Sequence, residues 1–183
     1  MVRVGVLASG SGTILEAILE ADVPVDVVVT DRRCRALDIA GDRGVLLERT
    51  DFTKSFDRDA YADELVELLH ARDIDLVAMA GFGTVVPKAV PSFRGLMLNS
   101  HPALLPSFKG WHPVRDALAF GVKVTGTTIH VVTEELDEGP ILAQEAVAIL
   151  PDDTEETLHE RIKQVERRLY PDTIKRVIAG ELP

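Results

Sequence analysis

The first strand-like segment does most to limit the fold. Val2, Val4, Val6, Leu7 and Ala8 make an almost unbroken apolar run, followed at once by Ser9-Gly10-Ser11-Gly12-Thr13 and a helical stretch. A strand that is apolar on both faces must be covered on both faces, which is the environment of a parallel sheet with helices above and below it. The cadence then repeats, with a strand at 25–30, a helix at about 35–42, a strand at about 45–48, a helix at about 57–72 and a strand at 76–80. Within 57–72, Tyr61, Leu65, Leu68 and Leu69 recur at helical spacing and give one apolar face for the sheet. Alternation of this kind predicts the α/β class: a mostly parallel twisted sheet, helices on both faces, right-handed crossovers.

The second half changes its pattern. Leu96, Met97 and Leu98 end by presenting Asn99 and His101, and Pro102 then removes a ladder donor and stops the strand. Side chains two apart on a strand share a face, so the Asn99 amide and the His101 imidazole point the same way. A helix follows near 114–120, then β-rich segments at 125–132 and 141–149. A last helix starts at Asp153 with Glu156 as its capping-box partner, carries Leu158, Ile162, Val165 and Leu169 inward, and kinks or restarts at Pro171.

Several classes of protein are set aside by composition. With 183 residues, 46% hydrophobic and 27% charged, the chain suits one domain, 1–183, with a full core and no staples. A single cysteine excludes a disulfide framework, and the apolar run after Met1 is too short for a secretory signal, so a cytoplasmic location is expected. No apolar stretch reaches the roughly 20 residues of a membrane helix. The formal charge of −10 opposes contact with nucleic acid. Anionic ligands must therefore find a local basic pocket, and small-molecule substrates are the expected partners.

Three features can carry chemistry, each against a plainer competitor. In Ser9-Gly10-Ser11-Gly12-Thr13, glycines allow close backbone approach and the helix that follows offers free N–H groups to a phosphate; the competitor is a tight turn without a ligand. Asn99 with His101 pairs an amide donor with a titratable ring, a combination suited to a carbonyl oxygen that becomes an oxyanion; the competitor is a satisfied buried histidine. Asp137 sits in a turn-prone acidic stretch, 134–140, and such stretches are usually just solvated. Folded back onto His101, its charge would hold the ring protonated near neutral pH. His130, inside the alternating strand Thr128-Ile129-His130-Val131, reads as structural, and no spacing of His, Cys and Asp matches a metal-ligand set.

Taken together, Ala8-Ser9-Gly10-Ser11-Gly12-Thr13, Ala80-Gly81-Phe82, Asn99-Ser100-His101-Pro102-Ala103-Leu104-Leu105-Pro106, Thr125-Gly126-Thr127-Thr128-Ile129-His130 and Leu136-Asp137-Glu138-Gly139-Pro140 resemble the phosphoribosylglycinamide formyltransferase family of folate-dependent enzymes in purine synthesis. The resemblance runs through essentially the whole chain in order. It implies a Rossmann-like formyltransferase fold, with a nucleotide-binding half at 1–98 and a catalytic and substrate-binding half at 99–183 whose strands are mixed. It implies transfer of the formyl group of 10-formyltetrahydrofolate, a co-substrate, to the amine of glycinamide ribonucleotide, with no metal. Asn99 would donate to the tetrahedral oxyanion, His101 would act as general acid, and Asp137 would raise the His101 pKa and help order water. Ser11, Gly12, Thr13, Pro102, Lys163 and Glu166 match contacts to the ribonucleotide. Arg58, Gly83, Thr84, Val85, Val86, Asn99, Val132 and Asp137 match contacts to the folate. Two positions depart from the family: Gly83-Thr84 stands where Met-Arg is common, and Ile14 where an asparagine is frequent.

Rival readings are a sugar-nucleotide or methionyl-tRNA formyltransferase, and a dinucleotide-binding redox or regulatory module. The tRNA enzyme normally carries a C-terminal domain for which this chain has no room, and the acidic balance opposes tRNA. The redox reading draws on Asp31, about 20 residues past the glycine loop where a ribose-binding acid would sit, but leaves Asn99, His101 and Asp137 without a role. A homodimer is left open.

Overall fold

The computed structural model describes residues 1–50, 57–83 and 89–182. The chain divides into two compact units, Met1–Leu98 and Asn99–Pro183.

In the first unit, strands β1 (Val4–Ala8), β2 (Val25–Thr30), β3 (Leu46–Arg49) and β4 (Leu76–Met79) alternate with helices α1 (Thr13–Glu20), α2 (Arg35–Asp42) and α3 (Arg58–Ala71), and a short turn of helix, α4 (Ala89–Ser92), follows. The strands lie in the order β3-β2-β1-β4 and every neighbouring pair is parallel. All five residues of β1 are buried, as its unbroken apolar run requires. Leu15, Ile18, Leu65 and Leu69 of the helices are fully buried in the same core, each contributing about 1.5–3 kcal/mol by leaving water. Asp57 starts α3 by accepting from the backbone N–H groups of Asp59 and Ala60. Register pairs Ala8 with Thr30, Thr30 with Arg49 and Leu7 with Met79. The loops after β1, β2 and β4 therefore leave from the carboxyl ends of adjacent strands, where parallel sheets bind ligands.

Strand β5 (Leu96–His101) carries the chain into the second unit, which continues with α5 (Pro113–Phe120), β6 (Val124–Val131), β7 (Ile141–Ala148) and α6 (Glu155–Ile178). Here the order is β5-β6-β7, with β6 and β7 antiparallel, so the C-terminal strands are mixed as expected. Val114 of α5, Val147 of β7 and Leu158 and Ile162 of α6 form its apolar core. The strand ends at His101, immediately before Pro102.

Helix α6 differs in detail from its sequence reading. Thr154, not Asp153, is the N-cap, and its capping-box partner is Thr157 rather than Glu156. Asp153 is drawn away because its carboxylate accepts from Arg161, the Leu150 amide and the Thr157 hydroxyl. The buried stripe runs Leu158, Ile162, Glu166, Tyr170 and Ile174, leaving Leu169 half-buried. The helix also continues through Pro171. A proline in a helix interior costs about 3 kcal/mol, and here the complete burial of Tyr170 and Ile174 on either side of it opposes that cost.

Candidate active site

Strand β5 delivers its polar side chains by simple alternation. Asn99 and His101 share one face, while Ser100 between them is hydrogen-bonded to Glu166 of α6. The His101 ring is only 4% exposed. Its Nε2 lies 2.8 Å from the carbonyl oxygen of Phe108; a carbonyl only accepts, so Nε2 carries a hydrogen. The other nitrogen, Nδ1, lies 3.5 Å from Oδ2 of Asp137. Asp137, also buried, has φ 56°, a left-handed conformation that aspartate tolerates better than most residues. Its Oδ2 also accepts from the Gly110 amide at 2.8 Å.

Close approach of the backbone holds that turn in place. A Cβ on Gly139 would fall 1.7 Å from the Val131 carbonyl oxygen, so only glycine lets the segment after Asp137 lie against the end of β6. Just outside, Lys109 pairs with Glu138. The acidic stretch is thus folded inward at Asp137, while Glu134 and Glu135 are exposed.

A fourth polar group joins this cluster. His130 of β6 is 2% exposed, its Nε2 lies 3.3 Å from the Asn99 amide nitrogen and 3.7 Å from Asp137 Oδ1, and its Nδ1 is 3.0 Å from the Val131 carbonyl oxygen. Burial pushes its pKa below the ordinary imidazole value, against the opposite pull of the Val131 carbonyl and the Asp137 charge, and His101 adds to the lowering. Sequence reading assigned His130 to the strand alone; the alternation around it gave no sign of the register shift between Ile129 and His130 that the β6–β7 pair contains.

Among the ribonucleotide candidates of the second unit, Glu166 is buried and Lys163 and Pro102 are half-buried. Burial raises the Glu166 pKa above the carboxyl norm, and the Ser100 hydrogen bond and the nearby Lys163 charge only partly oppose it. The folate candidate Val132 is half-buried just past β6.

In the first unit, Gly12 caps α1 with φ 71° and no side-chain hydrogen bond. A Cβ there would come within 2.7 Å of Ile39 Cδ1 and 3.0 Å of Ala36 Cα, so the loop lies against α2 only because this residue has no side chain. Ser11 is exposed, Thr13 half-buried, and Ile14 turns into the core. What α1 offers an anion is therefore mainly first-turn backbone N–H groups. Gly83 donates its N–H to Ser9 Oγ at 2.7 Å, tying the segment after β4 to the start of this loop. Arg58 opens α3 and is exposed, and Thr84, Val85 and Val86 lie outside the described residues. Asp31, on which the dinucleotide reading depends, is fully buried, and its two carboxylate oxygens accept from Arg32 at 2.9 and 2.8 Å, which removes it as an open ribose ligand. Among the described residues, no group of three or more His, Cys, Asp or Glu could hold a metal ion, and no helix is long and apolar enough to cross a membrane.

Comparison with known proteins shows the family. Residues 2–174 match the family model described as formyl transferase. The phosphoribosylglycinamide formyltransferase of Mycobacterium tuberculosis is 48% identical over 173 residues, covering 91% of this chain and 80% of that protein. The chain belongs to the formyl transferase family, in its phosphoribosylglycinamide formyltransferase branch. The fold of this formyl transferase superposes on glycinamide ribonucleotide transformylase 1 from Symbiobacterium toebii with a TM-score of 0.92 at 43% identity, covering 98% of this chain and 89% of that one. The phosphoribosylglycinamide formyltransferase from Streptococcus pneumoniae gives a TM-score of 0.91 at 37% identity, with 97% and 99% covered.

Proposed function

We propose that Asn99, His101 and Asp137 carry out formyl transfer from 10-formyltetrahydrofolate to the amine of glycinamide ribonucleotide. The observation that supports this most is the buried contact of His101 with Asp137, the ring anchored on its other side by the Phe108 carbonyl. The substrate amine adds to the formyl carbon and the carbonyl electron pair moves onto oxygen, where an N–H of Asn99 stabilises it. Collapse restores the carbonyl and breaks the bond to the folate N10. The proton that the amine loses equals the one that N10 gains, and it passes through His101 and water held at Asp137. With Nε2 committed to Phe108, the ring exchanges its proton at Nδ1, and Asp137 offsets the positive charge of the doubly protonated ring.

The backbone at Ser11, Gly12 and Thr13 holds the ribonucleotide phosphate, with Pro102, Lys163 and Glu166 as further contacts to that substrate. Arg58, Gly83, the segment 84–86 and Val132 serve the folate. Both substrates are small molecules, and the chain works in the cytoplasm without nucleic acid, in keeping with its charge of −10. A steady-state assay with both substrates, run in parallel with formate plus ATP as the alternative donor, tests this. Turnover that depends on 10-formyltetrahydrofolate supports the assignment; turnover with formate and ATP alone overturns it.

A further inference from the structure

His130 is buried and titratable, yet the transfer described above gives it no task. Its place in β6 is irregular, since the register with β7 shifts between Ile129 and His130, and such bulges re-aim side chains beside reacting groups. The two ring nitrogens have opposite surroundings. Nδ1 faces the Val131 carbonyl oxygen at 3.0 Å, which can only accept, so the ring hydrogen sits on Nδ1. A second proton is opposed by burial and by the neighbouring His101, and favoured by Asp137, whose Oδ1 at 3.7 Å stands outside hydrogen-bonding distance. Burial is the strongest of these influences, so Nε2 keeps its lone pair. The group that meets this lone pair, at 3.3 Å, is the amide nitrogen of Asn99, and a donating N–H makes that contact favourable.

We propose that His130 is a positioning residue: its bare Nε2 accepts one N–H of Asn99 and so fixes the carboxamide with its nitrogen, rather than its oxygen, toward the imidazole cluster. The second N–H of the same nitrogen is then the donor for the developing oxyanion. Were the amide reversed, a carbonyl oxygen would stand in that place and repel the charge. This inference rests on the reading of Asn99 as the oxyanion donor.

Four variants and one spectrum test it. His130→Leu removes the acceptor at similar volume, His130→Gln restores one through its amide oxygen, and Asn99→Ala and the Asn99→Ala/His130→Leu pair complete a double-mutant cycle. Removing one oxyanion donor costs about 10²–10³ in kcat, so His130→Leu is expected to lose about 30- to 300-fold in kcat, with both KM values moving by less than about threefold. His130→Gln should regain most of that loss, and the double variant should be no slower than Asn99→Ala alone. Losses that multiply in the double variant, or equal losses for Leu and Gln at 130, would mean a merely structural role and overturn the inference. An inactive Asn99→Ala beside a fully active His130→Leu overturns it alone; a fully active Asn99→Ala overturns the oxyanion assignment beneath it. Independently of any variant's folding, nitrogen NMR of the native protein at neutral pH should find Nδ1 of His130 protonated and Nε2 bare. A protonated Nε2 overturns the proposal.

Discussion

The glycine loop of the first unit and the polar cluster of the second present opposite kinds of group. At 9–13 the groups on offer belong mostly to the backbone: Ser11 is exposed, Ile14 faces the core, and Gly12 contributes by having no side chain. Around Asp137 the groups are side chains, His101, His130 and Asp137 itself, all under 9% exposed and each held by a backbone partner at Phe108, Val131 or Gly110. A backbone site tolerates exchange of side chains as long as the chain path survives. A buried side-chain site tolerates almost none, because each group removed leaves another without its partner. On the family resemblance drawn from the sequence, the departure at Ile14 falls in the tolerant loop, whereas the buried cluster keeps the Asn-x-His-Pro and Asp-x-Gly-Pro pattern.

That contrast can be broken most forcefully at Asp137. Asp137→Asn keeps an oxygen for the Gly110 amide but removes the charge facing His101, so kcat should fall about 10²- to 10³-fold while the thermal midpoint stays near the native value. Native-like turnover would mean that the buried cluster is as forgiving as the loop. Next comes Gly12→Ala, where a positive φ and the approach to Ile39 should cost about 1–3 kcal/mol in denaturant melts and raise KM for the ribonucleotide. A variant of native stability would show that the chain path at 9–13 is not fixed.

Glu166 sharpens the comparison through pH. Its pKa is raised in the folded state, so its favourable contribution is present below the ordinary carboxyl value and is lost as pH rises through the folded value. Glu166→Gln should therefore flatten the decline in melting temperature across that window and be relatively more stable at neutral pH. An unchanged pH profile of stability would argue that the carboxyl is not penalised by burial. The smallest effect belongs to Ser11→Ala, with KM for the ribonucleotide expected to change by less than about twofold. A large rise would make the hydroxyl, rather than the backbone, the phosphate ligand.

Local pattern revealed the fold better than the site. The largely apolar runs at 4–8, 25–30 and 76–79 identify β1, β2 and β4 because burial on both faces leaves a signal in most of their residues. The common face of Asn99 and His101 was equally legible from strand period, as was the stop at Pro102. Convergence of Asp137 onto His101 depends on how the turn after β6 packs, which no local spacing encodes. His130 escaped for a sharper reason: a register shift moves side chains without altering the alternation of the sequence. At α6 the capping pattern named the wrong residue because Asp153 had better partners in Arg161 and the Leu150 amide. At Pro171 the helix does not restart, because flanking burial can outweigh a local helix penalty.

The contact between Gly139 and the Val131 carbonyl also bears on how this molecule can be redesigned. Even a methyl group at 139 would collide with main chain rather than with a movable side chain, so no repacking of neighbours relieves it. Combinatorial libraries aimed at new acceptors would do well to freeze this glycine together with the residues on either side of the collision, and to spend their diversity on the rim.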